Sequence, residues 1–322
     1  DEILDHVRDK VFPFMRNLGG EDSFYKEYMK NANFAIPTAS LLIEAVKISE
    51  PDEIYHFAAQ SFVGASFETP IATGDITGLA VTRLLEVIRN IAPDSKFYFA
   101  GSSEMFGWAG WHRSKDGYTC TVCNENTPFM PMSPYAAAKL YGYWITRIYR
   151  EAYGIYAVNG ILFNHESPLR GLEFVTRKIA NEVAKISLGI SKKLKLGNIE
   201  AKRDWGYALE YVYGMWLMMQ QKEPDDYILA TGEAHSVKEF VEQAFNYVGI
   251  DEWEKYVEID PNLLRPLDVP CLIGDYSKAK KKLKWKPKVK FKELVSIMVK
   301  EELKRWERWL SGERFPWDVP LY

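Results

Sequence analysis

The chain has 322 residues, 47% hydrophobic and 26% charged, with a formal charge of −3, enough to bury a substantial core as one large or two moderate domains. So small a charge excludes a global pull toward nucleic acid or an acidic membrane, and any anionic ligand must be held by local Arg and Lys clusters. No apolar run approaches the ~20 residues that span a bilayer, Asp1-Glu2-Ile3-Leu4-Asp5 is acidic where a secretory leader is basic and then apolar, and three cysteines suit a reducing compartment and argue against a disulfide framework, so a cytoplasmic location is expected.

Residues 1–32 form an atypical segment, charged and aromatic, with Ile3, Val7, Val11 and Phe14 at helical spacing. From residue 38 helical and strand periods alternate, the pattern of a parallel sheet with crossover helices. The spacing predicts a helix over Ala39–Ser49 stopped by Pro51, a strand over 53–59, a helix over 77–91 and a strand over Lys96–Ala100. The polar stretch 108–126 holds Cys120 and Cys123 at C-x-x-C spacing with His112 nearby. A structural zinc normally takes four ligands and no second Cys pair exists, so a solvated loop with two thiols is expected and no metal.

Residues 134–152 read as a long helix with Pro134 in its first turn, and 157–163 as another buried strand. These elements predict an α/β fold with a Rossmann-like, doubly wound parallel sheet. After Asn164 the texture changes to helices over 174–188, 207–221, 236–248 and Phe291–Leu310, with a short strand over 227–230. Such a second half closes a cleft over a sheet edge and supplies substrate residues. Cys271, in Val-Pro-Cys-Leu-Ile, is expected to pack in a core as a small hydrophobe. The Lys-rich run 278–290 is interrupted by Leu and Trp and reads as a solvated helix end and turn. The expected organisation is 1–32, an atypical N-terminal segment; 33–165, a cofactor and catalytic domain; and 166–322, mainly a substrate-binding lobe.

Two motifs carry chemistry. Residues 97–107 run Phe-Tyr-Phe-Ala-Gly-Ser-Ser-Glu-Met-Phe-Gly: an apolar strand that would deliver Ser102 and Glu104 to the carboxyl edge of the sheet, where open α/β folds bind ligands. Tyr135 and Lys139 then stand four apart on the 134–152 helix, on one face, where the ammonium would favour the phenolate and lower the tyrosine pKa.

Ala58-Ala59-Gln60-Ser61, Gly101-Ser102-Ser103-Glu104, Ser133-Pro134-Tyr135-Ala136-Ala137-Ala138-Lys139, Asn164-His165-Glu166-Ser167-Pro168, Phe174-Val175-Thr176-Arg177-Lys178, Arg203-Asp204-Trp205-Gly206 and Arg265-Pro266 occur in that order along the chain. With them the chain, from about Asn33 to about Pro287, resembles the extended short-chain dehydrogenases, and among these the GDP-mannose 4,6-dehydratases. The resemblance implies a lyase with a Rossmann sheet carrying NADP and a C-terminal lobe holding GDP-mannose, the product being GDP-4-keto-6-deoxymannose. It implies catalytic roles for Ser102, Glu104, Tyr135 and Lys139, and cofactor contacts from Ala59, Gln60, Ser61, Lys139, His165 and Arg170. It implies substrate contacts from Asn164, Lys178, Arg203 and Arg265, and a homodimer built on the helices around Tyr135 and 77–91. Epimerases of the wider family typically carry alanine where this chain has Glu104, and Ser102 stands where these dehydratases commonly carry threonine.

The chain departs from the family at its start. The family opens with a strand and a G-x-x-G-x-x-G turn that approaches a pyrophosphate; here the only glycines before Phe57 are Gly19 and Gly20. Asn33 stands where the family has an Asp near the adenine, and Phe62 where it has a His. Three explanations are open: a chain lacking part of the native protein, a cofactor half exchanged for another segment, or a noncatalytic or regulatory GDP-sugar binding protein that has lost its dinucleotide half.

Overall fold

The computed structural model describes residues 39–115 and 117–313; the 1–32 segment, Gly19, Gly20 and Asn33 lie outside the described residues. The first elements occur in the expected order: helix α1 (Ala39–Ser49), strand β1 (Glu53–His56), helix α2 (Ala80–Ile91), strand β2 (Lys96–Ala100), helix α3 (Pro134–Tyr153) and strand β3 (Ala157–Leu162). Helices α4 (Val175–Ser187) and α5 (Ala208–Met219) lead to strand β4 (Asp226–Leu229), and α6 (Val237–Tyr247) and α7 (Phe291–Leu310) complete the long helices. The sheet runs β1-β2-β3-β4 with every neighbouring pair parallel.

Strand period two explains the layers. Phe97 and Phe99 of β2 enter one core with Leu84, Leu85 and Ile88 of α2 and Tyr143 and Tyr149 of α3. Tyr98 and Ala100, between and beyond them, enter a second core on the opposite face with Tyr211, Met215 and Met218 of α5. A strand buried on both faces has no polar side, hence the unbroken run Phe-Tyr-Phe-Ala. Each fully buried phenylalanine contributes roughly 1.5–3 kcal/mol. Gly142 of α3 lies so close over the Phe99 ring that a β-carbon there would overlap it.

Helix α3 starts where its sequence says. The Ser133 hydroxyl accepts from the Ala136 N–H at 3.0 Å, Pro134 fills the first helical position, and Gly154 ends the helix at φ 68°. An N-cap of this kind contributes about 1 kcal/mol. The expected 77–91 helix begins earlier: a helical path from Pro70 passes through one π-helical stretch, Gly74–Leu79, before α2. Strand β1 is shorter than expected because the backbone leaves the sheet after His56, and among the described residues nothing pairs with its outer edge.

A third core gathers Ile179 and Val183 of α4, Phe240 and Phe245 of α6, and Leu294 and Met298 of α7. It lies entirely after residue 166, whereas β4 and α5 return to the sheet.

The cysteines correct the sequence expectation. Residues Trp111–Ser114 and Gly117–Cys120 form an antiparallel hairpin rather than a loop. The hairpin brings Cys120 to a Cα–Cα distance of 5.5 Å from Cys271, and the two form a disulfide. Cys271 is therefore core-packed but not a free hydrophobe, and Cys123 is the one buried free thiol among the described residues. No cluster among the described residues could hold a metal ion, and no helix of the described residues is long and apolar enough to cross a membrane.

Candidate active site

Parallel strands end together, and the carboxyl ends of β2 and β3 open into a cavity of about 590 Å³ lined by Ser102, Glu104, Tyr135 and Lys139 together with Asn164 and His165. Past β2 the chain turns through one 3₁₀ segment, Ser103–Met105, capped by the Ser102 hydroxyl, which accepts from the Glu104 N–H at 3.2 Å. This tight turn fixes the direction of both side chains. The Glu104 carboxylate faces Arg203, 3.8 Å from Nε. Tyr135 and Lys139, one turn apart on α3, are both buried against β2.

Burial dominates the electrostatics of the floor. It pushes the Tyr135 phenol up to about 12, with the Ser102 hydroxyl pulling down, Glu104 pushing up and Arg170 pulling down. Burial likewise lowers the Lys139 ammonium to about 8. Lys139 Nζ donates to the Ala100 carbonyl at 2.7 Å and lies 5.9 Å from the centre of the Tyr135 ring. The expected lowering of the phenol by this ammonium is therefore outweighed, because the lysine is engaged with the strand and desolvation of the phenol is the larger effect.

His165 lies just past β3 on the strand Asn164–Glu166, paired with Trp205–Tyr207. Its Nδ1 faces the Phe163 carbonyl at 3.0 Å, its ring stacks on Tyr211, and burial lowers it to about 4, so it is neutral at pH 7. Arg170 lies over the Phe174 ring at 3.6 Å and 3.4 Å from Glu166, whose carboxylate accepts from the Thr176 hydroxyl at 2.6 Å.

On the opposite rim stands Arg203, buried in a two-residue strand. Its Nη1 donates to the carbonyls of Val269 and Lys202 at 2.7 and 2.9 Å, and its Nη2 to Asp268 at 3.2 Å. Arg265 and Lys178 line the same cavity, and burial lowers the Lys178 ammonium. Nearby Asp204 is fully buried and accepts from Thr231, Gly232 and Gly274, pinning three segments behind the rim.

Of the predicted cofactor residues, Ala59 and Ser61 line the cavity and Gln60 does not. Gln60 turns away: its N–H donates to Thr77 of the π-helical stretch at 3.1 Å and its Nε2 to the Phe62 carbonyl at 3.0 Å. Sequence reasoning missed Asp268 and Asn198, both on the cavity wall. The signal was faint: an Asp three residues after Arg265, and an Asn in the Gly-Asn turn before Arg203.

The sequence profile of the GDP-mannose 4,6 dehydratases matches residues 15–298. GDP-mannose 4,6 dehydratase 1 of Arabidopsis thaliana is 50% identical over 287 residues, covering 88% of this chain and 76% of that protein. The Homo sapiens GDP-mannose 4,6 dehydratase is 46% identical, covering 81% and 73% respectively. The Vibrio cholerae GDP-mannose 4,6-dehydratase is 40% identical, covering 93% and 87%. Among solved structures, RMD from Pseudomonas aeruginosa complexed with NADPH superposes with a TM-score of 0.70 at 20% identity, over 79% of this chain and 82% of that one. The dTDP-glucose 4,6-dehydratase of Bacillus anthracis in complex with NAD gives 0.71 at 22%, over 86% and 80%. At such identities the two structures speak for the fold.

Proposed function

Because the chain belongs to the GDP-mannose 4,6-dehydratase family, we propose that it converts GDP-mannose to GDP-4-keto-6-deoxymannose through an internal NADP redox cycle. The observation that carries the reading is the gathering of Ser102, Glu104, Tyr135, Lys139 and Arg203 around one cavity at the carboxyl ends of β2 and β3.

The residues fit the nicotinamide end of the cofactor. Arg170 Nε makes no hydrogen bond, and neutral His165, Lys139 and Arg170 share the cavity wall with Ala59 and Ser61. Among the described residues no glycine-rich turn stands beside β1 to receive the pyrophosphate. When bound, NADP would supply a positive charge that favours the phenolate of Tyr135, the acceptor for hydride from C4 and its donor to C6, and so would be regenerated each turnover.

The chain's own groups handle the protons. Tyr135 Oη takes the proton of the sugar O4 while Ser102 Oγ hydrogen-bonds the same oxygen. A ketone at C4 acidifies the C5 proton; Glu104 removes it and passes it to the departing C6 hydroxyl, which leaves as water. After C6 is reduced Glu104, reprotonated from solvent to which Tyr135 gives up the O4 proton, returns a proton to C5. Arg203, Arg265 and Lys178 hold the diphosphate, and Asn164 contacts the sugar. Residues 166–322 form mainly the substrate lobe, a division supported by the third core, which lies wholly after residue 166.

The exposed apolar residues Leu79 before α2 and Trp144 and Ile148 on α3 support a homodimer through these helices, and light scattering at twice the chain mass is the expected result. A cytoplasmic location is part of the same proposal. Incubation with GDP-mannose and added NADP should yield the 4-keto-6-deoxy product; unchanged GDP-mannose with NADP demonstrably bound would overturn the reading.

A further inference from the structure

Asp268 belongs to none of the roles assigned above, yet three side chains of the sugar-side rim meet on it. Its Oδ1 accepts from Arg203 Nη2 at 3.2 Å and lies 3.5 Å from Arg265 Nη1. Its Oδ2 accepts from Asn198 Nδ2 at 3.2 Å. The carboxylate is itself oriented by the Val269 N–H, which donates to Oδ1 at 3.1 Å. Of the residues that meet here, all but Val269 line the cavity.

Two guanidiniums converging on one carboxylate oxygen repel each other, and only the carboxylate between them offsets that repulsion. Arg203 Nη1 is committed to two backbone carbonyls, so the contact of Nη2 with Asp268 decides where the rest of the guanidinium plane lies. Without Asp268, the remaining carboxylate within 4.0 Å of Arg203 among the described residues is Glu104. The arginine, already 3.8 Å from it through Nε, would then draw nearer to the group assigned to the C5 proton.

We propose that Asp268 is the positioning residue of a diphosphate clamp: it holds Arg203 and Arg265 side by side and shares Arg203 with Glu104, so that the arginine does not swing wholly onto Glu104 before substrate arrives. This rests on reading the cavity as a GDP-sugar site. Two effects of Asp268 oppose each other. Its charge repels an incoming diphosphate, while its geometry presents two guanidinium cations already in place, which lowers the ordering cost of binding. The clamp requires that the second effect exceed the first. Bound diphosphate would also draw Arg203 back from Glu104, so loss of Asp268 should appear in substrate affinity and not in the chemical step.

The test compares wild type, Asp268→Ala and Asp268→Asn in the full chain. Calorimetry with inorganic pyrophosphate and with GDP measures the clamp, and steady-state kinetics with GDP-mannose and NADP separate KM from kcat. Asp268→Ala should weaken both diphosphate ligands and raise KM about tenfold, with kcat changed less than about threefold. Asp268→Asn should weaken binding only about threefold, because its amide oxygen still accepts from one arginine. Pyrophosphate binding that is unchanged or tighter in Asp268→Ala would overturn the proposal, as would a fall in kcat at constant KM. Should Asp268→Ala not fold, Asp268→Asn carries the same test in the same direction. A wild type that binds pyrophosphate but leaves GDP-mannose unchanged sinks the function and spares the clamp; one that binds no pyrophosphate sinks the clamp.

Discussion

The two rims of the cavity are built in opposite ways. On the sugar side, Arg203 is buried and tied to Asp268, Lys202 and Val269, Asp204 pins three segments behind it, and the Cys120–Cys271 disulfide joins the hairpin to the strand beside it. On the cofactor side, Phe57, Ser61 and Phe62 are exposed where the chain leaves β1, the outer strand of the described sheet. A rim cross-linked by buried polar contacts is preorganised for its ligand; an exposed one must be ordered by it. The difference teaches that this chain should grip the nucleotide sugar more firmly than the dinucleotide.

The largest expected effect lies between the rims. Glu104→Gln keeps shape and removes the base, so formation of the 4-keto-6-deoxy product should fall by about 10²–10⁴-fold while GDP binding stays within a few-fold. Activity retained in this variant would place the chain's chemistry with epimerases or reductases. Next comes the rims' own contrast. Arg203→Met should raise KM for GDP-mannose by about a hundredfold, since it leaves Asp268 and Glu104 without their shared cation, whereas Ser61→Ala should change the NADP dependence less than about threefold. Equal effects at the two rims would erase the distinction drawn between them.

Stability sharpens the same comparison. Replacing both Cys120 and Cys271 with serine opens a loop of 151 residues and should cost about 2–4 kcal/mol, measured by urea unfolding of oxidised wild type against the variant. An unchanged midpoint would show that the hairpin is held by packing alone.

The smallest effect concerns His165, held near 4 in the folded chain against an ordinary 6.5. The unfolded state takes up this proton first as pH falls, so the folded state's advantage is complete above pH 6.5 and is lost between 6.5 and 4. Wild type should lose more stability than His165→Asn across that window. Parallel curves would mean that the imidazole is solvated.

Much of this was legible from the residues. The run Phe97 to Ala100 could only be a strand buried on both faces, and Ser133-Pro134 and Gly154 mark the ends of α3 by local chemistry alone. Features set by neighbouring residues were visible; features set by distant partners were not. The mate of Cys120 lies 151 residues away, and an odd number of cysteines does not forbid one pair. Asp268 matters because Asn198 and Arg203, some seventy and sixty-five residues earlier, meet on it, and no periodicity announces such convergence. Gln60 sits within a familiar motif, but its side chain bonds the Phe62 carbonyl and its backbone bonds Thr77, 17 residues on. The Tyr135–Lys139 spacing correctly puts the pair on one helix face, yet it could not reveal that Ala100 engages the ammonium.

The central claim is that Glu104 removes the C5 proton of the sugar facing Tyr135. Turnover of GDP-mannose with NADP in deuterium oxide tests it directly, because the proton taken from C5 leaves with the water and the one added back at C5 comes from solvent. The account predicts a 4-keto-6-deoxy product carrying deuterium at C5 with wild type and none formed with Glu104→Gln; a product without deuterium at C5, or the same labelled product from the variant, would contradict it.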